Sequence, residues 1–472
     1  MKIVIFGVGR FYQEKKQMIP LETEIVAFLD NNAALQGRFM DGCPIAAPCE
    51  VGCFSYDKII LMSLSEEEME NQLLELGVEK GNIWYWSRFM SEMYYGTFKL
   101  YCGSTDFAKA YGKRILIIST ELNYNGGTIA AVYGARALQE RGNLVILAAP
   151  SGDKTFIKET VDSGVSIVIC PALPYVHLEE LFWIRQFDAV LVNVFQMAPC
   201  VSDINAVKPV MWWIHEPVEI YERTLKQLQD IKKDKLKDIN IYAVSKIAQK
   251  NFNACFLNKI TKTLPFGIPD QRTKDKSSGK KEDLVLAVIG AVCPRKAQDI
   301  FVKAVGLLSV EEKQNVQFWI IGFIGNDEYG AQVRALAAKE STVKLAGPLT
   351  RSEICEAYRE IDVVVCPSRE ETMSIVVTEG MMYGKACIAS DKTGIAQYME
   401  DGENGLICKA EEPADLCEKM RWIMQNQEKL SVMGSRARQT YETYFTMKAF
   451  GQRLEGVLQE TMDQWKQTDR GF

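Results

Sequence analysis

Two hydrophobic rhythms alternate along this chain. Short unbroken apolar runs are separated by longer stretches whose apolar residues recur at helical spacing. The first pattern suits strands buried on both faces, the second helices with one covered face. Their near-continuous succession predicts an α/β protein of parallel sheets covered by helices on both sides. The succession restarts twice, dividing the chain into three Rossmann-like segments.

The first segment, residues 1–98, opens with an apolar run at Lys2–Phe6 and the turn Gly7-Val8-Gly9. Further strands are predicted at 24–29 and 58–62, and a charged helix at 65–76. This is an incomplete dinucleotide fingerprint. Gly7 and Gly9 are present, Tyr12 occupies the third glycine position, and Asp30 stands where a ribose-binding acid belongs. Gly7, Gly9 and Asp30 are therefore a candidate nucleotide site. The simpler reading is an accessory module whose glycines make a tight turn. Residues 99–112, with Gly103, Ser104 and Gly112, predict a linker.

The second segment, 113–266, restarts with a strand at 114–119, the turn Asn125-Gly126-Gly127-Thr128 and a helix at 129–141. Strands are expected near 144–148, 166–169, 189–194, 210–214 and 241–244. The third segment, 267–445, has strands predicted at 284–289, 318–321, 343–345, 363–366 and 386–389. Pro265-Phe266-Gly267-Ile268-Pro269 and the polar stretch 270–282 read as a hinge between these halves. A last helix within 446–472 carries Phe450, Leu454, Val457, Leu458, Met462 and Trp465 on one side, which predicts packing back onto the second segment.

At 472 residues the chain exceeds what one core supports. The net charge of −6 argues against nucleic acid, whose backbone calls for a basic face. No apolar run approaches the roughly 18 residues of a membrane span, and the N-terminus lacks a signal-peptide pattern. Thirteen cysteines without a CxxC pair point to free thiols in a reducing cytoplasm. Two histidines, His177 and His215, exclude a multi-histidine metal site, and the expectation is that no metal or cofactor is needed. The basic run Arg223 to Lys237, with interleaved leucines, reads as a solvated helix face or, second, a peripheral contact with an anionic membrane.

In open parallel sheets ligands bind outside the carboxyl ends of the strands, and two such sheets facing each other make a cleft. Candidate polar groups follow predicted strands. Gly126 and Gly127 follow the first strand of segment two, His215 and Glu216 a later one. Arg295 and Lys296 follow the first strand of segment three, and Glu371 a later one. In Pro367-Ser368-Arg369-Glu370-Glu371-Thr372-Met373-Ser374, Glu371 precedes a predicted helix that carries Glu379. A helix start offers N–H groups to an anion, and carboxylates accept from sugar hydroxyls. Taken alone, each of these residues serves equally as a solvated charge or turn glycine.

Together they resemble the GT-B glycosyltransferases, and specifically the large family-four group of retaining enzymes. Pro294-Arg295-Lys296-Ala297 is similar to that family's phosphate clamp, usually Pro-Arg-Lys-Gly. Gly347-Pro348-Leu349, the Glu-x7-Glu pair Glu371/Glu379, Ser390-Asp391-Lys392-Thr393-Gly394 and Asp401-Gly402-Glu403-Asn404-Gly405 follow in family order. The resemblance covers residues 113–445. One departure is Ala291 after Gly290, where many relatives carry Arg.

The resemblance implies that Glu371 contacts donor-sugar hydroxyls and Glu379 the ribose. It implies that N–H groups near Ser374, Ile375 and Val376 hold the diphosphate, with Leu349 beside the donor. Lys296 with Arg295 would neutralise the leaving diphosphate. Gly126 and Gly127 would let backbone approach a substrate, and His215 would sit near the reacting sugar. The implied activity is metal-independent, retaining transfer of a sugar from a nucleotide-diphosphate sugar to a glycan, lipid-linked or protein-linked acceptor in surface glycan biosynthesis. Alternatives are a nucleotide-sugar epimerase of the same fold, or a weakly catalytic scaffold whose residues 1–98 dock glycan-assembly proteins. An NAD-dependent oxidoreductase in segment one is disfavoured by the missing third glycine.

Overall fold

Nineteen strands form three sheets in a computed structural model of the chain, which describes residues 1–63, 65–104, 112–175, 182–224, 238–256, 260, 262–272 and 283–467. The first sheet holds β1 (Lys2–Phe6), β2 (Glu24–Leu29), β3 (Phe39–Met40), β4 (Cys43–Ala46), β5 (Lys58–Leu61) and β6 (Ile83–Tyr85), in the order β3-β4-β2-β1-β5-β6. The second holds β7 (Lys99–Tyr101), β8 (Arg114–Ile118), β9 (Leu144–Ala149), β10 (Ser166–Ile169), β11 (Ala189–Asn193), β12 (Val210–Ile214) and β13 (Asn240–Ala243), in the order β13-β12-β11-β8-β9-β10-β7. The third holds β14 (Leu284–Ile289), β15 (Val316–Ile321), β16 (Val343–Gly347), β17 (Val363–Cys366), β18 (Ala386–Ser390) and β19 (Leu406–Cys408), in the order β16-β15-β14-β17-β18-β19. All pairings are parallel except β3 with β4 and β7 with β10.

The apolar runs predicted as strands lie in these sheets because both faces are covered. Every residue of β11, β12, β14, β17 and β18 is buried. The short strands β3, β4, β6, β7 and β19 carry too few apolar residues to announce themselves.

Residues 99–101, expected to begin a linker, instead form β7, antiparallel to β10. Leu100 pairs with Val168 there, so edge hydrogen bonds override the glycine-rich composition that follows. The basic run from 225 to 237, His177, half of the linker (105–111) and most of the polar hinge lie outside the described residues.

The second and third sheets share one continuous hydrophobic core, in which Ile117, Trp213 and Phe450 meet Val364, Val377 and Met381. The last helix, Met447–Gln467, crosses to the second sheet. Phe450 lies 5.7 Å from Trp213, and Arg141 pairs with Glu455 at 2.5 Å. The first sheet keeps separate cores on its two faces, and Tyr175 from the second segment packs against one of them.

Candidate active site

The third sheet begins its contribution after β14. Residues Pro294 to Lys296 form a single turn of 3-10 helix, followed by Ala297 in the left-handed region at φ 57°. A non-glycine residue there costs on the order of 1–2 kcal/mol, which explains why a glycine suits this position. The turn is bolted to the segment after β17. The Arg369 N–H donates to the Arg295 carbonyl at 2.9 Å, and its guanidinium grips both oxygens of Asp299 at 3.0 Å.

That fastening brings together three of the sequence candidates. Lys296 Nζ donates to Glu371 Oε2, and an Arg295 guanidinium nitrogen lies 3.0 Å from the same oxygen. Glu371 is 8% exposed. Burial works against the charge on each of the three, but mutual attraction outweighs it. The Glu371 carboxyl is held below its ordinary pKa, and Lys296 and Arg295 are held above theirs. Two cations on one carboxylate leave a net positive charge in a desolvated place.

Three residues beyond Glu371 a helix begins. Ser374 is the N-cap of Ile375–Tyr383, its hydroxyl accepting the Val377 N–H at 3.3 Å. Among the described residues the N–H groups of Ile375 and Val376 make no protein hydrogen bond, as expected of a first helical turn. Glu379 on this helix is 4% exposed. Its carboxylate accepts from Arg351 at 2.5 Å and from the Tyr358 hydroxyl at 2.9 Å. Burial opposes the Arg351 charge and the Glu379 carboxylate more than offsets it, raising the Arg351 pKa. Leu349 is half-buried just before the helix Arg351–Glu360 that carries this arginine.

The second sheet supplies the facing wall. The helix Gly126–Gln139 starts after β8, with the Asn125 side chain accepting the Thr128 N–H at 2.9 Å. A Cβ on Gly126 would stand 3.7 Å from Ile375 Cδ1, so the two helix starts meet across the lobes. Asn193, at the end of β11, donates to the Gly127 carbonyl at 3.1 Å and fixes that start.

His215 and Glu216 follow β12. Burial pushes the His215 imidazole down to about 3, and among the described residues its buried Nε2 has no hydrogen-bond partner. Burial likewise pushes Glu216 up to about 7, although its carboxylate accepts the Phe195 and His215 N–H groups.

Lobe-to-lobe contacts converge beside Glu371. Ser245 Oγ donates to the Thr372 carbonyl at 2.5 Å, and Glu370 accepts from Asn251 and from the Val218 N–H. A Cβ on Gly394 would stand 1.8 Å from the Thr372 carbonyl oxygen and 2.5 Å from Ser245 Oγ. Glycine alone permits this approach. Sequence reasoning missed Arg351, Asn193, Ser245 and Asn251. No spacing signal points to them, since each acts on a residue distant in the chain.

The first-sheet candidates are close together but occupied. Gly7 has φ 103°, and a Cβ on it would stand 2.7 Å from the Met62 carbonyl oxygen. Asp30 accepts the Val8 N–H at 3.1 Å and the Asn32 N–H at 2.8 Å, so its carboxylate secures the turn. Gly9 precedes a helix of only six residues, Arg10–Lys15.

Residues 270–440 match the family described as Glycosyl transferases group 1, and residues 1–84 match C2185-like, N-terminal. Over residues 270–440, then, the chain is similar to the glycosyl transferases of group 1. An uncharacterized glycosyltransferase of Methanocaldococcus jannaschii is 28% identical over 153 residues, 32% of this chain and 41% of that protein. A D-inositol 3-phosphate glycosyltransferase of Nocardia farcinica is 26% identical over 166 residues, 32% of this chain and 35% of that protein. The chain thus spans well under half the length of these curated relatives. HepE of Anabaena, solved in complex with UDP and glucose, superposes with a TM-score of 0.62 at 15% identity, over 74% of this chain and 100% of that one. This likeness shows the architecture: the second and third sheets form a GT-B fold.

Proposed function

We propose that this protein is a glycosyltransferase that takes a sugar from a nucleotide-diphosphate sugar and delivers it to a saccharide, lipid-linked or protein-linked acceptor. One observation carries the reading. Lys296, Arg295 and Glu371 converge next to the helix start at Ser374, and the side chain of its first residue, Ile375, meets the start of the Gly126 helix. Breaking a sugar–phosphate bond builds negative charge on the departing diphosphate and positive charge on the anomeric carbon. Fixed cations and oriented N–H dipoles at the phosphate stabilise that separation without reorganising. Lys296 and Arg295 meet the phosphates, and the N–H groups of Ile375 and Val376 supplement them. Glu371, drawn between these cations and the sugar, orients donor hydroxyls. Glu379 meets the ribose once Arg351 yields one of its oxygens.

Retention of anomeric configuration, catalysis without a metal, and a setting in cytoplasmic surface-glycan synthesis belong to the same proposal. The first two rest on the Glu-x7-Glu resemblance and on the lack of any Asp-x-Asp pair in the sequence. Among the described residues no helix is long and apolar enough to cross a membrane.

The test is nucleoside-diphosphate release from a panel of UDP-, GDP- and dTDP-sugars, with UDP-glucose tried first because HepE was solved with it. The reading predicts cleavage of at least one donor and its loss in Lys296→Ala. A well-folded protein that releases no diphosphate from any donor, with or without a mixed saccharide acceptor pool, refutes it.

A further inference from the structure

A cavity of about 550 Å³ lies where the first sheet's module meets the second sheet. Its floor comes from the carboxyl ends of second-sheet strands: Glu121 and Asn123 after β8, and Gln196 after β11. That is the end of a parallel sheet where ligands bind. Its roof comes from the first module, with Phe11 on helix Arg10–Lys15 and Trp86 at the start of helix Trp86–Met93. These two rings pack edge to face at 6.2 Å. Asn123 lies three residues before Gly126, the residue that abuts Ile375. One loop therefore borders both the cavity and the candidate cleft.

Two features mark the cavity as built for a ligand. Gln196 lines it, and among the described residues its buried side-chain oxygen has no hydrogen-bond partner. A buried carbonyl oxygen without a donor is costly, so it calls for an O–H or N–H from outside. Two residues earlier, Val194 sits at φ 71°, a conformation a β-branched residue avoids. Three bonds hold it there. The Val194 N–H donates to the Trp213 carbonyl at 2.9 Å, its own carbonyl accepts Trp212 Nε1 at 2.9 Å, and the Phe195 N–H donates to Glu216 at 2.8 Å. The strained loop sets Gln196 at the cavity wall.

The lining chemistry selects the ligand class. Arg10 and Lys15 are matched by Glu14 and Glu121, and Arg10 already pairs with Glu14, so no net charge attracts an anion. Aromatic faces opposite amide and carboxylate oxygens suit a ring with C–H faces and a rim of hydroxyl donors.

We propose that this cavity is the subsite for an uncharged, hydroxyl-bearing saccharide of the acceptor, and that the first module is one wall of it. The proposal rests on the transferase reading above and adds the acceptor's class and the module's task. Saturation-transfer NMR on the full chain with UDP present tests it, with methyl α-glucoside, methyl β-galactoside, methyl N-acetylglucosaminide and cellobiose as probes. Sodium octanoate is the apolar control. At least one saccharide should give a signal that falls about fivefold, equivalent to about 1 kcal/mol, in both Gln196→Leu and Phe11→Ala. Thermal unfolding of each variant checks that it is folded. No saccharide signal, or a signal that both folded variants retain, overturns the proposal. So does octanoate binding that Gln196→Leu strengthens, which would assign the cavity to an acyl chain. Donor cleavage in the same samples separates the two readings. Its absence refutes the transferase, whereas cleavage with no saccharide bound refutes only this subsite.

Discussion

The first and third sheets open alike, with an apolar strand ending in a glycine, a short turn and a helix, yet the two turns do different things. After β1 the turn closes on itself, because Asp30, just past the end of the neighbouring strand β2, accepts the Val8 N–H. After β14 the turn is held from outside by Arg369, and its cations project onto Glu371 in the segment after β17. The first arrangement satisfies its polar groups locally and leaves little for a ligand. The second concentrates positive charge and leaves two helix N–H groups without a partner among the described residues. A glycine turn after a strand is a common way to enter a helix. The role proposed for the second turn depends on a distant segment, which supplies Glu371 and an open helix start.

Substitutions on the two sides should therefore behave differently. Glu371→Ala leaves Lys296 and Arg295 buried without their counter-charge, and should cost about 3–5 kcal/mol in urea unfolding. Lys296→Ala should slow donor cleavage by about 100- to 1,000-fold, or about 3–4 kcal/mol of barrier, measured as diphosphate release. Gly394→Ala should cost about 1–3 kcal/mol and reduce cleavage as well, because the added methyl meets the Thr372 carbonyl where the lobes touch. Gly7→Ala or Asp30→Ala should lower stability by about 1–2 kcal/mol while cleavage stays at the wild-type rate. Loss of cleavage in Asp30→Ala would show that the first turn is a working site after all and would dissolve the contrast.

Acid sharpens the same comparison by a smaller amount. The Glu371 pKa in the folded protein lies below its ordinary 4.5. The unfolded chain therefore takes up its proton first as pH falls, and the stabilisation present above about pH 4.5 is lost on descending through the lower folded value. Lys296→Met should flatten that part of the urea-stability profile. An unchanged slope would mean that Lys296 does not hold the carboxylate ionised.

Much of the candidate site was legible because local rules place it. Glu371 just after a buried strand and before a helix, and Arg295 and Lys296 just after the first strand of segment three, follow from the apolar runs that precede them. Glu379 was legible as a helix residue, but its Arg351 and Tyr358 partners were not, since they come from another helix. The edge strand β7 hid inside a stretch with linker composition, because pairing with β10 and not its own residues makes it a strand.

The order of hydrophobic periods along the sequence determined the α/β class, the threefold division and the candidate chemistry of each turn, because these depend on neighbours within a few residues. Only the tertiary structure decided which turn gathers charge, that Gly394 lets the lobes touch at Thr372, and that the first module roofs a cavity at the second sheet's carboxyl edge. Those outcomes depend on contacts between residues far apart in the chain, and their free energies are set by burial and distance, which no local pattern encodes.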